Sequence, residues 1–515
     1  MTAGDTTNAP EAAQAQPTTT TQAPAPADRL ESIRPFLPRE FAARLVDQLT
    51  VGSNPQLVEV VAPLTGETIV DLPQSGPGDV AHAFEKARAA QAAWAARPVG
   101  ERAAVLRRLH DLLLDNTEHL LSLLQVETGK TRLHAYDEVG VAAATARHYA
   151  HAARGYLRPR HKIGVLPVLT KVVEYRHPKG VVGVITPWNL PLNQAARACA
   201  PALAAGNTVV AKPAEVTSRT TVELARLAAA EGLPPGVLNV VLGRGPEVGT
   251  AIVAHPLVRK VAFTGSVRVG REIGHIAADR ILPLTLELGG KSANIVFADA
   301  DLDFAATEAV RAYATNAGQV CSSGTRLLVQ RPVQDRFVAA VVAATRALRP
   351  GRDVGPLITR DQFETVQRYF KIAEEEGARA ETGGTLALDP ALAGGFYVEP
   401  TVYTGVRNDM RIAREEIFGP VLVVIPFDTE EEAVRLANDS DYGLTGGVFT
   451  ADMSRAIRVA EAIEAGQVYI NSWSTQSVQM PFGGYKHSGY GREKGIEALS
   501  HYSHVKSISM RITGR

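Results

Sequence analysis

The chain has two cysteines in 515 residues, Cys199 and Cys321, and their surroundings differ. Cys321 sits in Asn316-Ala-Gly-Gln-Val-Cys-Ser-Ser-Gly-Thr325, a small-residue, polar stretch with nothing in it to build a core helix or strand. A nucleophilic thiol needs access and polar surroundings to form thiolate, which this stretch offers. The plainer alternative is a small buried filler. Leu286-Glu-Leu-Gly-Gly-Lys-Ser292 sets one acid, Glu287, between leucines. A carboxylate in apolar surroundings has a raised pKa and can serve as a general base. The alternative is a strand-end acid paired with Lys291. In Pro187-Trp-Asn-Leu-Pro191 two prolines fix the backbone around Asn189. A rigid amide donor suits a developing oxyanion, although asparagine is also common in turns.

Two further stretches suit a nucleotide. Thr264-Gly-Ser266 follows an expected strand and opens an expected helix, with Gly270 one turn on. Backbone N–H groups at such a start can receive a phosphate. The spacing is not GxGxxG, so an ordinary strand–helix turn stays open. Lys212-Pro-Ala-Glu215 follows another expected strand, where a lysine and a carboxylate could hold ribose hydroxyls. Glutamate there favours a free 2′-hydroxyl over a 2′-phosphate by charge. The alternative is a solvated helix start with an acid in its first turn. Cys199 lies among Ala198, Ala200 and Pro201 and reads as core packing.

The elements that must position these groups begin with helices. Val105, Leu106, Leu109, Leu112 and Leu113 share one face at helical spacing, and a helix is expected from Val80 to Ala96. Strands and helices then alternate. Strands are expected at Lys171–Tyr175, Val181–Ile185, Thr208–Ala211, Val237–Val241 and Lys260–Phe263. Helices are expected at Leu192–Ala204, Ser218–Glu231, Glu247–Ala254 and Val267–Ala278. Repetition of this kind implies a doubly wound parallel sheet, which binds ligands beyond the carboxyl ends of its strands. A second α/β region starts near Glu287, with strands at Asn294–Phe297 and Gly419–Ile425 and a helix at Val333–Ala347. Tyr502 to Ile512 alternates like an exposed strand, and an exposed edge seeks a partner.

Bulk composition excludes several classes. Lys+Arg and Asp+Glu both number 54, so no net field favours nucleic acid or an acidic membrane. Two cysteines make no disulfide framework and fit a reducing, cytoplasmic setting. No Cys/His cluster suggests a metal, and no apolar run is long enough to span a bilayer. Residues 1–28 are rich in Thr, Ala, Pro and Gln and hold no Lys or Arg, the composition of a disordered tail rather than a targeting signal.

Taken together and in order, the motifs resemble those of the aldehyde dehydrogenase superfamily, in its hydrolytic, NAD(P)-dependent branch. The carriers are TPWN at Thr186–Asn189, PALAAGN at Pro201–Asn207, KPAE at Lys212–Glu215, FTGS at Phe263–Ser266, LELGGKS at Leu286–Ser292, GQVC at Gly318–Cys321, EEIFGPV at Glu415–Val421 and PFGGYKHSGYGRE at Pro481–Glu493. The resemblance runs from about Arg29 to the C-terminus. It implies a doubly wound NAD-binding domain at 29–155 and 180–286, and a second α/β catalytic domain at 287–486. A small β oligomerisation element would comprise 156–179 and 487–515, giving a homodimer or homotetramer. It also implies that Cys321 attacks an aldehyde, that Asn189 and the Cys321 N–H hold the oxyanion, and that Glu287 activates the hydrolytic water. Relatives that pass the acyl group to coenzyme A generally lack this acid.

For NAD, with NADP the lesser expectation, the resemblance implies Lys212 and Glu215 at the ribose and Ser266 at the pyrophosphate. Glu416 and Phe418 would stand on the nicotinamide side. Thr186, Pro187, Trp188, Gly245, Phe263, Thr264, Gly265 and Leu288 complete the implied cofactor set. Positions that line the substrate tunnel in relatives include Leu190, Asn193, Gln194, Thr315, Ser322, Ser474 and Gln476 here, mostly polar and none aromatic. Trp473 and Phe482 remain as apolar walls. Where many relatives carry Trp-Lys, this chain has Arg197-Ala198. Succinic semialdehyde dehydrogenases resemble it in an arginine that holds the substrate carboxylate, which suggests a polar or carboxylate-tailed aldehyde. Against this, their second arginine is Thr315 here, and Arg197 could instead point into the protein and pair with an acid. Arg268 stands where relatives often have glutamate, a charge that could relax the NAD preference that Glu215 argues for.

Overall fold

The structure is a computed structural model that describes residues 52, 55–166, 169–387, 389–473 and 477–512. The expected tail, and Ser474 and Gln476, lie outside the described residues. A hairpin of β1 (Leu57–Val61) and β2 (Thr68–Pro73) leads into four helices: α1 (Pro77–Ala96), α2 (Val99–Asp115), α3 (Thr117–Thr128) and α4 (Arg132–Leu157). Next come β3 (Arg160–Lys162) and β4 (Thr170–Pro178). The alternating run is β5 (Val181–Ile185), α5 (Pro191–Ala204), β6 (Thr208–Lys212), α6 (Arg219–Ala230), β7 (Leu238–Val240), α7 (Thr250–Ala254), β8 (Val258–Thr264), α8 (Val267–Ala278) and β9 (Leu284–Glu287). The expected helix from Glu247 to Ala254 is present and opens two residues earlier, as a π-helical turn at Gly245–Gly249 that runs into regular α-helix at Thr250–Ala254. Pro246 stands in its first turn, where the missing N–H costs no helical bond.

The first sheet has strand order β9-β8-β5-β6-β7, all parallel, with a short antiparallel strand at the β9 edge. All five residues of β5 are buried, as a β-branched run covered by helices on both faces must be. The chain runs outward from β5 through β6 and β7, then returns to β8 and β9 on the other side. The switch point therefore lies between β5 and β8, and it opens a crevice at their carboxyl ends.

The second sheet is entered through Leu288–Ser292. Its elements include β10 (Ala293–Val296), α9 (Leu302–Ala314), β11 (Arg326–Gln330), α10 (Gln334–Arg346), β12 (Arg379–Thr382), β13 (Thr401–Thr404), β14 (Val421–Phe427), β15 (Tyr442–Gly443), β16 (Thr445–Phe449) and β17 (Gln467–Ile470). Its order is β12-β13-β14-β11-β10-β16-β17, antiparallel only at β12. The chain then returns through β18 (Tyr485–Lys486) to β19 (Gly489–Tyr490), which pairs with β9 so that Gly489 faces Glu287. Finally β20 (Ser503–Arg511) pairs with β4 over its whole length and leaves an open edge, with Val505, Ile508 and Met510 exposed. No helix among the described residues is long and apolar enough to cross a membrane.

Arg326 pins the amino end of the second sheet. Its buried guanidinium donates to the carbonyls of Lys291, Leu436 and Ala437 and to Asn408 Oδ1, at 2.8–3.0 Å. Replacing it strands several buried acceptors, each costing about 1–3 kcal/mol. Arg326→Met is expected to lower the thermal unfolding midpoint clearly, while an exposed-arginine control such as Arg407→Met leaves it in place; calorimetry of both variants checks this.

Candidate active site

The first sheet presents carboxyl ends and the second presents amino ends to the same place. Glu287 is the last residue of β9, and Leu288-Gly-Gly-Lys-Ser292 carries the chain directly into β10. A Cβ on Gly290 would stand 2.3 Å from the Cys321 carbonyl oxygen, so the thiol loop lies against this short link and needs glycine there. The loop is tied from the other side by Thr445, at the start of β16, whose hydroxyl donates to the Ser322 carbonyl at 3.1 Å.

The thiol loop is a strained piece of backbone. Asn316 and Ala317 both have φ +53°, and Gly318 follows at +71°. Gln319 holds it: its amide donates to the Asn316 and Pro356 carbonyls and accepts from Ile358 N–H at 2.8 Å. Asn189 Nδ2 donates to the Gln319 carbonyl at 2.9 Å, two residues before the thiol. The Asn189 carbonyl in turn accepts from Lys130 Nζ at 3.0 Å. Lys130 is ion-paired with Glu138, and Glu138 Oε1 accepts the N–H groups of Leu192 and Asn193 at the start of α5. The carboxylate thereby caps α5 and fixes the turn that carries Asn189. Lys130 and Glu138 left no local signal in the sequence, because each acts on residues distant along the chain, while Gln319 stood in the GQVC motif without its part in holding the loop being legible.

Cys321 keeps partial exposure, whereas Cys199 is in the core. Burial pushes the Cys321 thiol up to about 12; Arg197 pulls it back, and Glu416 and Glu287 oppose that. Glu287 is buried, and neither carboxylate oxygen has a hydrogen-bond partner. Burial first, and Glu493 second, raise its pKa well above the usual carboxylate range, while Arg197, Arg492 and Lys494 act in the opposite sense. Lys291 is not its partner: that ammonium, lowered to about 7 by burial and Arg326, faces Glu416 and Glu415.

Arg197 does not stand open to a ligand. It is 4% exposed, its Nε lies 2.5 Å from Glu493 Oε2, and its guanidinium lies 4.3 Å from the centroid of the Phe482 ring. A guanidinium taken out of water requires a counter-charge, and Glu493 supplies it. Gln194, Ser322 and Phe482 are buried nearby in sequence or space, and Trp473 packs into Gly324 and Gly447 beside Tyr469. Arg268 pairs with Glu272 at the surface, 2.6 Å away.

The expected cofactor residues converge on the β5/β8 switch point. Thr186 follows β5, and its buried hydroxyl has no partner. Pro187 and Trp188 come next, with the Trp188 ring edge-on to Phe418 at 5.4 Å. Phe263 and Thr264 end β8, and Gly265 N–H bonds the Glu287 carbonyl at 3.0 Å. Ser266 caps α8, accepting from Val269 N–H at 3.4 Å, and Gly270 meets Leu288. Lys212 ends β6, is buried, and lies 3.5 Å from Glu215 Oε2; burial lowers its pKa. Glu215 Oε1 accepts from Gly245 N–H at 3.1 Å. Glu416 Oε1 accepts from Gly290 N–H at 3.0 Å, and burial raises this acid to about 7. The fit to a dinucleotide is good: an exposed capped helix start for phosphate, a lysine–glutamate pair for ribose, and an orphaned hydroxyl between them.

Two kinds of comparison agree with this geometry. The description of the aldehyde dehydrogenase family matches residues 50–508. Betaine aldehyde dehydrogenase from Staphylococcus aureus, solved in complex with NAD+, is 35% identical over 92% of this chain and 98% of its own, with a TM-score of 0.88. An indole-3-acetaldehyde dehydrogenase mutant from P. syringae, in complex with NAD+ and IAA, is 35% identical over 95% of this chain and 100% of its own, again with a TM-score of 0.88. With the family match spanning nearly all of the described residues, the chain belongs to the aldehyde dehydrogenase family.

Proposed function

We propose that the protein oxidises an aldehyde to its carboxylic acid with NAD+, through a covalent bond to Cys321 and subsequent hydrolysis. The observation that carries this reading is the pairing of a partly exposed thiol with a buried, unpartnered carboxylate across the Leu288–Ser292 link. The thiolate of Cys321 adds to the aldehyde carbonyl, forming an S–C bond and placing charge on oxygen. Asn189 keeps one N–H on the Gln319 carbonyl and offers the other to that oxygen, with the Cys321 N–H beside it. NAD+, when held by Thr186, Lys212, Glu215 and Ser266, supplies the hydride acceptor. Glu287 then takes a proton from water as it attacks the thioester, and the C–S bond breaks to return the thiol. Covalent capture orients the substrate and divides a hard oxidation into two easier steps.

Because the Glu287 pKa is raised, the base is protonated and idle at acid pH and becomes active as pH climbs through that raised value. In Glu287→Gln, hydrolysis is expected to fall by about 100-fold or more while the first turnover persists. Rapid-mixing absorbance at the reduced-nicotinamide band would then show a burst of one equivalent followed by a stall, and the acid limb of kcat would vanish. A variant that turns over steadily at the wild-type rate removes Glu287 from the mechanism. Added coenzyme A is expected to leave the wild-type rate unchanged.

For the substrate, the Arg197–Glu493 pair favours a polar, uncharged aldehyde over a carboxylate-tailed one. Arg197→Ala is expected to lower kcat/KM equally on succinic semialdehyde and on an uncharged aldehyde of equal length. A loss confined to the semialdehyde would restore the carboxylate reading. Glu215 at the ribose end supports NAD over NADP by charge. Rates with the two cofactors check this, and about a tenfold advantage for NADP would overturn it. The open β20 edge, with its exposed Val505, Ile508 and Met510, supports self-association as a homodimer or homotetramer.

A further inference from the structure

Lys494 is a buried cation for which the reaction above has no use. Its backbone has φ +55°, the left-handed region where a Cβ is strained and glycine is not. A charge removed from water must be compensated by its surroundings, and a backbone outside its preferred region adds strain. The surroundings give the position a purpose. Lys494 Nζ lies 5.3 Å from the centroid of the Phe482 ring, the same ring that Arg197 faces at 4.3 Å. Phe482 is locked to Glu493 by two backbone hydrogen bonds of 2.7 and 2.8 Å. The next residue, Gly483, lies so close to Glu287 that a Cβ there would sit 2.7 Å from Oε1. Lys494 is therefore held on a strap fastened to the floor of the site.

Lys494 lies within electrostatic range of Arg197, Cys321, Glu493 and Glu287. Cys321 is faced by Arg197, Glu416, Glu287 and Lys494, with the Tyr469 hydroxyl also near it. Glu287 is faced by Glu493, Arg197, Arg492 and Lys494. Much of the Arg197 charge is met by Glu493, its ion-pair partner. Two carboxyl groups, Glu287 and Glu416, oppose a negative charge on sulfur. A second cation is what the thiol needs to ionise among them.

We propose that Lys494 is an electrostatic positioning residue for the nucleophile, its ammonium held over Phe482 beside the Arg197–Glu493 pair so that the thiolate of Cys321 is less disfavoured than Glu287, Glu416 and burial alone would leave it. The inference rests on the reading of Cys321 as the attacking group. It is tested by alkylating the full-length enzyme with iodoacetamide across the neutral and alkaline range. Wild type, Lys494→Met and Lys494→Arg are compared, with the label located by peptide mass spectrometry and aldehyde oxidation followed in parallel. Lys494→Met is expected to slow alkylation of Cys321 about tenfold at neutral pH, the effect of moving a thiol pKa by about one unit. Lys494→Arg, whose charge persists at all these pH values, is expected to restore the wild-type rate. Burial lowers the lysine itself to about 7, so the wild-type rate should climb less steeply through that pH than the Lys494→Arg rate. A Lys494→Met rate within twofold of wild type overturns the inference. So does a Lys494→Arg rate as slow as Lys494→Met, since loss of packing alone would slow both. If labelling of Cys321 leaves aldehyde oxidation intact, the nucleophile reading fails instead, whatever the Lys494 variants show.

Discussion

Glu287 has been taken out of water at the end of β9 without a hydrogen bond to either carboxylate oxygen. A carboxylate in that position pays the full loss of hydration if it ionises, which is why burial heads the causes of its raised pKa. The arrangement around it follows from making that state tolerable. Arg197, Arg492 and Lys494 provide positive charge at a remove, and Glu493 balances Arg197 so that the pocket is not flooded with cations. A hydrogen-bonded carboxylate would be more stable and a poorer base. The same loss of hydration is what would make Glu287 an effective proton acceptor.

The same economy governs the thiol loop. Three successive residues, Asn316 to Gly318, lie in the left-handed region, a conformation that the surrounding structure must enforce. Gln319, Asn189 and Gly318 do so. A Cβ on Gly318 would stand 2.0 Å from the Gly419 carbonyl oxygen, so the loop is pressed against the segment that brings Glu416 and Phe418 to the site. The chain of contacts then runs from Asn189 through Lys130 and Glu138 to the start of α5. The Cys321 loop and Asn189 are thus positioned by one connected set of hydrogen bonds at the seam between the two sheets, with the Glu416–Phe418 segment packed against it.

Much of this seam was legible in the residues, and what was not has a physical pattern. The β5–β8 run was readable because buried parallel strands are short β-branched stretches between helices, whereas β9 carried no such run and was not expected. Its helix α8 begins and ends where the capping serine and the periodicity place it. Cys321, Glu287 and Asn189 stood out because each occupies an unusual local setting, a polar cysteine, an acid among leucines and an amide between prolines. Glu493 did not, because its ion pair with Arg197 joins distant segments and has no local signature, and Lys130 and Glu138 did not because the Asn189 turn they hold lies far along the chain. Arg197 shows the limit most directly. Its helix could be read from an alanine-rich neighbourhood, but its partner lies in the strap after β19, and only the folded chain brings the two together.

That partner changes what Arg197 can do. A guanidinium free in a tunnel selects anions by forming two parallel bonds to a carboxylate. One already ion-paired with Glu493 and seated on Phe482 has part of its charge met, although its buried Nη2 has no hydrogen-bond partner, and a substrate carboxylate entering beside it would meet Glu493 and Glu287 as well. The net field at the floor of the site is therefore directed at the protein's own ionisable groups, Cys321 and Glu287. On the same helix as Arg197, Gln194 and Asn193 hold buried side-chain oxygens without hydrogen-bond partners. An unmatched buried acceptor is costly until a donor reaches it, so a molecule that brought a hydroxyl or amide donor to these oxygens would repay lost hydration that a bare alkyl chain could not.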